Sequence, residues 1–234
     1  MKARVTRTIH YVVLVTALIL FAAIPSIVSP SVASAASPAY VQGADTQVTS
    51  GTTASLAFPG ANSAGNLIVV YVVWDNPGAV TLSDSKGNTY IAGTARQTWG
   101  NNWSSEVFYA SNIAGGTNTV KATFATAITS FGIVYEHEYS GLATASPVDV
   151  SASAVGTAAS MSSGAVSTTA ANDLLFAAGA SANTVTAPGT GFTARRTGAG
   201  NLTEDRVAAT TGSYAGTATQ NGTSWVMQLV AFRA

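Results

Sequence analysis

Asn66-Leu67-Ile68-Val69-Val70-Tyr71-Val72-Val73-Trp74 is an almost unbroken run of β-branched and aromatic residues. A half-exposed strand alternates apolar with polar side chains, so a run without alternation reads as a strand buried on both faces. Its length suits a strand and is short for a helix, and the β-branching agrees. Residues 131–139, 173–180 and 225–232 share this character. The four are expected to be the central strands of an all-β core. Their outer faces need cover from the other half of the chain, from long loops or from another subunit.

Working outward, Asp75-Asn76-Pro77-Gly78 is a turn, since Pro fixes φ and Gly supplies positive φ. Residues 80–83 and 89–95 read as a hairpin around Asp84-Ser85-Lys86-Gly87-Asn88. A loop with Trp99, Gly100, Asn101, Asn102 and Trp103 follows, then strands over 106–111 and 118–125. In the latter, Val120, Ala122 and Phe124 share one face and Lys121 and Thr123 the other. Upstream, 46–49 and 54–58 read as short strands, and 36–45 as a flexible lead-in.

The second half repeats this order. Ala171-Asn172-Asp173-Leu174-Leu175-Phe176 echoes Ala64-Gly65-Asn66-Leu67-Ile68-Val69, and 191–196, 203–208, 213–219 and 224–233 echo later pieces of the first half. Residues 54–141 and 164–233 therefore read as diverged copies within one domain, 46–234. The expected fold is an antiparallel β-sandwich, jelly-roll-like, with internal duplication; two tandem immunoglobulin-like sandwiches are the alternative. A single sandwich is preferred because the second copy looks too trimmed to close its own core.

The chain begins with Lys2, Arg4 and Arg7, then an apolar run over 11–24, Pro25 and the small residues Ala33-Ser34-Ala35. A charged start, a short apolar middle and an A-x-A site describe a signal peptide over 1–35, cut before Ala36. The run is short for a membrane span, so membrane association is expected only through an uncleaved leader. The protein is expected to be secreted or held at the cell surface. Beyond the leader, Lys86, Arg96, Lys121, Arg195, Arg196, Arg206 and Arg233 face ten acids, a mildly acidic balance with no basic footprint for nucleic acid. With no cysteine, the core and its hydrogen-bond ladders must hold the fold.

Several of these pieces together resemble a group of uncharacterised secreted prokaryotic β-sandwich domains, jelly-roll or lectin-like, found in large extracellular proteins. The likeness rests on Gly65-Asn66-Leu67-Ile68-Val69-Val70, Ser83-Asp84-Ser85-Lys86-Gly87-Asn88-Thr89-Tyr90, 108–116, Glu138-Tyr139-Ser140-Gly141-Leu142, Pro147-Val148-Asp149-Val150, Glu204-Asp205-Arg206 and 225–232. It implies an extracellular β-sandwich and supplies no catalytic residues.

Four groups of residues invite a chemical reading. Trp99, Asn101, Asn102 and Trp103 are the ligand-binding candidates: indoles stack on sugar rings, and amides both donate and accept hydrogen bonds. Against this, tryptophans are buried on average, and one or both indoles could instead cap the core. Glu136 and Glu138 lie one strand period apart on one face, the pairing glycoside hydrolysis needs, although a solvated face accounts for them more simply. His137 points the other way and reads as a packed core histidine. Asp75, Asp84 and Asn88 are weak calcium ligands by chemistry, and tight turns explain the same residues. Asn102, Asn201 and Asn221 start N-glycosylation triplets. The expected function is a non-enzymatic binding or adhesion module for an extracellular glycan. Self-association into a filament or surface layer is the alternative, and a glycoside hydrolase is more distant.

Overall fold

In the computed structural model, residues 37–234 are described; the expected leader lies outside them. Nine strands form the first half: β1 (Ala39–Val48), β2 (Gly51–Ala57), β3 (Leu67–Trp74), β4 (Val80–Asp84), β5 (Ile91–Ala92), β6 (Gln97–Trp99), β7 (Trp103–Ala110), β8 (Thr119–Ile128) and β9 (Gly132–Ser140). Ten form the second: β10 (Val148–Gly156), β11 (Ser160–Ser162), β12 (Val166–Ser167), β13 (Asp173–Ser181), β14 (Val185–Pro188), β15 (Thr193–Arg196), β16 (Leu202–Ala208), β17 (Ser213–Tyr214), β18 (Thr217–Gln220) and β19 (Trp225–Phe232). Every strand pair is antiparallel, and the only helical turn among the described residues is the 3₁₀ turn Gly198–Gly200.

The four apolar runs become β3, β9, β13 and β19, and nearly every residue in them is buried. Alternation explains why. Leu67, Val69, Tyr71 and Val73 point from β3 into a core shared with Phe176, Ala178, Val230 and Phe232 of the second half. Ile68, Val70, Val72 and Trp74 point the other way, onto Val120, Ala122 and Phe124 of β8. On the far side, Leu175, Ala177, Met227 and Leu229 meet Met161, Val185 and Ala218. The layers therefore run outer sheet, inner sheet, inner sheet, outer sheet, with three cores between them.

The expected all-β antiparallel sandwich is present, but a single two-layer sandwich is not. Short as its strands are, the second half closes its own core with Met161, Leu202 and Trp225. The strand orders of the two halves run parallel, apart from β6, which pairs with β7, and, among the described residues, a small β12-β17 sheet found in the second half alone. The inner sheets run β1-β9-β3-β7-β5 and β10-β19-β13-β16-β15, and the outer sheets β2-β8-β4 and β11-β18-β14. The inner sheets stack in reversed order, with β1 against β15 and β10 against β6.

Two local expectations fail. Residues 80–95 are not a hairpin: β4 pairs with β8 in the outer sheet, whereas β5 pairs with β7 in the inner one, so the 84–88 turn carries the chain between layers. Nor is 36–45 a flexible lead-in, because β1 pairs along β9 from Ala39 onward. Gly43 makes that close pairing feasible: a Cβ there would lie 2.8 Å from Tyr40 Oη and 2.9 Å from His137 Nδ1.

Glu136 and Glu138 share a face of β9 as expected, but the face is buried rather than solvated. The Glu138 carboxylate accepts hydrogen bonds from Gln42 Nε2 (2.6 Å), Asn62 Nδ2 (2.8 Å), the Ser63 amide (2.8 Å) and Asn66 Nδ2 (2.7 Å). It fastens the 60–66 connection to β9. Neither oxygen of Glu136 has a protein partner. Burial pushes its carboxyl up to about 9, against a smaller opposing pull from Arg196.

The folded chain therefore keeps a proton on Glu136 that the unfolded chain releases near 4.5. Between those values the folded state binds more protons, so stability falls as pH rises, with a limiting slope of about 1.4 kcal/mol per pH unit. Glu136→Gln is expected to raise the melting temperature at pH 8 and to flatten its fall between pH 5 and 8, as followed by thermal denaturation. An unchanged pH slope would mean that Glu136 is ionised in the fold.

Candidate functional site

An open cleft of about 380 Å³ lies where the two inner sheets end side by side. Val73, Trp99, Asn101, Trp103 and Phe131 line it from the first half; Ser181, Ala182, Asn183, Ala199 and Asn201 line it from the second. Corresponding places in the two halves thus meet here: the end of β3 with the end of β13, and the turn entering β7 with the turn entering β16.

The first wall is aromatic. Trp99 and Trp103 are directly paired across β6 and β7, with ring centroids 6.2 Å apart. Gly100 and Asn102 both take the left-handed conformation in the turn between them, which glycine and asparagine adopt most readily. Phe131 meets the Trp103 ring edge-on at 5.4 Å. Asp75 fixes Phe131: its Oδ2 accepts from the amides of Thr129 (2.9 Å), Ser130 (2.6 Å) and Phe131 (3.2 Å). Burial pushes the Asp75 carboxyl up, but these donors and the Ser130 hydroxyl together outweigh it and hold the group well below the ordinary carboxylate range.

The second wall is polar and held by the first half. Tyr135 donates its hydroxyl to the Gly198 carbonyl (2.6 Å) and accepts from Asn201 Nδ2 (3.0 Å). Ala199, between them, sits at φ 51°, a conformation non-glycine residues hold only when their surroundings impose it. Ser181 Oγ donates to Gln220 Oε1 (2.7 Å) and accepts from the Asn183 amide (3.1 Å). Asn101 and Asn183 are exposed at the rim.

Three of the four residues singled out in sequence line the cleft. Trp99 also serves as a core residue, 5 % exposed, and its Nε1 has no protein partner. Trp103 is half-buried. Asn102 is exposed in the turn and shapes it, without lining the cleft. Phe131, Ser181, Asn183, Ala199 and Asn201 were missed. The parallel strand order offers a signal: 198–201 leads into β16 as the Trp99–Trp103 turn leads into β7.

The other candidates fall elsewhere. Glu136, Glu138 and His137 do not line this cleft. His137 packs 5.3 Å from the Phe176 ring, and burial lowers its pKa to about 3, so the imidazole is neutral at physiological pH. Asp84 Oδ1 accepts from the amides of Lys86 and Asn88, and Oδ2 from Asn88 Nδ2, Tyr90 Oη and Asn118 Nδ2. The oxygens proposed for calcium at Asp75 and Asp84 are thus already taken by turn donors, and Asn88 Oδ1 accepts from the Ala114 amide. Among the described residues, no three His, Cys, Asp or Glu side chains gather in a metal-binding group. Asn201 is 4 % exposed, which removes it as a glycosylation acceptor.

No family model, curated protein or solved structure matches the chain.

Asp84→Ala leaves buried donors without an acceptor and is expected to cost about 1–3 kcal/mol in chemical denaturation. Calcium or a chelator is expected to leave the wild-type transition where it is. A calcium-dependent rise that Asp84→Ala abolishes would reinstate the metal.

Proposed function

We propose that the protein is a non-enzymatic, exported β-sandwich module that binds a neutral carbohydrate, at the cell surface or in extracellular material. One observation carries this reading: the cleft sets aromatic rings on one wall against serine and asparagine on the other, with no charged side chain in its lining. Aromatic faces suit the C–H faces of a sugar ring, while hydroxyl and amide groups suit its rim of hydroxyls. A phosphate or carboxylate ligand would find no cation there. The cleft's volume lies within the range of small-ligand sites. The leader pattern and the likeness to secreted domains support export. The repeated strand order is what duplication of a half-chain would leave, and the cleft then lies where the two copies adjoin, one wall specialised for stacking and the other for hydrogen bonding.

Self-association has less support. Among the described residues, the exposed large apolar side chains are Val41, Ile91, Val155 and Val207, on four different strands.

An array of neutral and acidic glycans tests the proposal. Binding confined to neutral glycans and weakened about two- to tenfold by Trp103→Ala is expected, the loss of one stacking contact being worth about 0.5–1.5 kcal/mol. Retention of acidic glycans alone, or an unaffected Trp103→Ala variant, would refute it.

A further inference from the structure

A second depression, about 250 Å³, shares Trp99 with the first. It is lined by Trp99, Gly100, Val155, Gly156, Thr157, Ser224 and Trp225, again without a charged residue. Building on the carbohydrate reading above, we propose that the two depressions are consecutive subsites of one groove, so that the protein binds the interior of a linear neutral glycan rather than a chain end.

Three features of the second depression support this. Trp99 lines both depressions, so the two meet at one indole. Trp225 is a fixed platform: its Nε1 donates to the Ala158 carbonyl (2.9 Å), and a Cβ at Gly156 would collide with its ring. An indole held on both counts gives up little freedom on binding. Finally, Gly100 brings the turn between the depressions close to the second half, where a Cβ would lie 3.0 Å from Ser224 Oγ.

The chemistry follows from the lining. Thr157 and Ser224 supply hydroxyls, Val155 and Trp225 supply apolar surface, and Val155 is 48 % exposed at the edge of β10. This is the same pairing of apolar face and hydroxyl partner as in the first cleft. A pocket for a terminal sugar would be closed at one end. Here both depressions are open, and a chain can run on in either direction.

Isothermal titration of the full chain with cello-, xylo- and malto-oligosaccharides, from disaccharide to hexasaccharide, tests the proposal. In the recognised series, affinity is expected to rise about tenfold or more with length before levelling off. Val155→Arg, which places a charge at the exposed edge of the second depression, is expected to remove that rise. Trp103→Ala is expected to weaken every length. Length-independent affinity, or a rise that survives Val155→Arg, would overturn the two-subsite groove while leaving the single-cleft reading intact. No binding in any series would overturn both.

Discussion

Burial of both faces of the inner sheets is the constraint on which everything else depends. A strand apolar on two sides can be satisfied only between two other layers. Four such strands in two sheets demand cover on the outside and contact with each other on the inside. The chain meets this with β2-β8-β4 on one flank and β11-β18-β14 on the other. Between the inner sheets, Tyr109 meets Phe232 edge-on and His137 packs against Phe176. Without cysteine, this packing and its hydrogen bonds are what hold the halves together.

Polar groups at the junction of the halves add orientation. Ser105 donates to Gln228 Oε1 (3.1 Å), and Gln228 Nε2 reaches Thr94 Oγ1 (2.8 Å). Tyr139 donates to Asp205 (2.7 Å), which Arg195 grips with two further bonds while lying over the Tyr40 ring. Buried polar groups of this kind tolerate few alternative alignments, because a slip leaves them unpaired. The cleft inherits that precision: Tyr135 of the first half holds the turn that forms the wall of the second.

Much of this was legible in the sequence. The four central strands declared themselves by missing alternation. The layer crossing at 84–88 was not legible, since Asp-Ser-Lys-Gly-Asn specifies a turn and not which sheet receives the chain afterwards. The first part of β1 was hidden, although its end was read at 46–49, because Gln42, Gly43 and Ala44 show no strand pattern; pairing with β9 and the absence of a Cβ at Gly43 decide it. Glu138 read as exposed because its partners, Gln42, Asn62, Ser63 and Asn66, are scattered through the chain. Half of the cleft was visible because tryptophans draw the eye. The other half is serine, alanine and asparagine in a chain rich in all three, and only the fold brings them to the same place.

The central claim is that the two halves form one cooperative body, and that the cleft between them is therefore preformed. Differential scanning calorimetry of the full chain tests this most directly. A single transition, with calorimetric and van't Hoff enthalpies equal, is the predicted result. Two resolved transitions would mean that each half is stable without the other, and that neither the shared core nor the cleft it builds governs the fold.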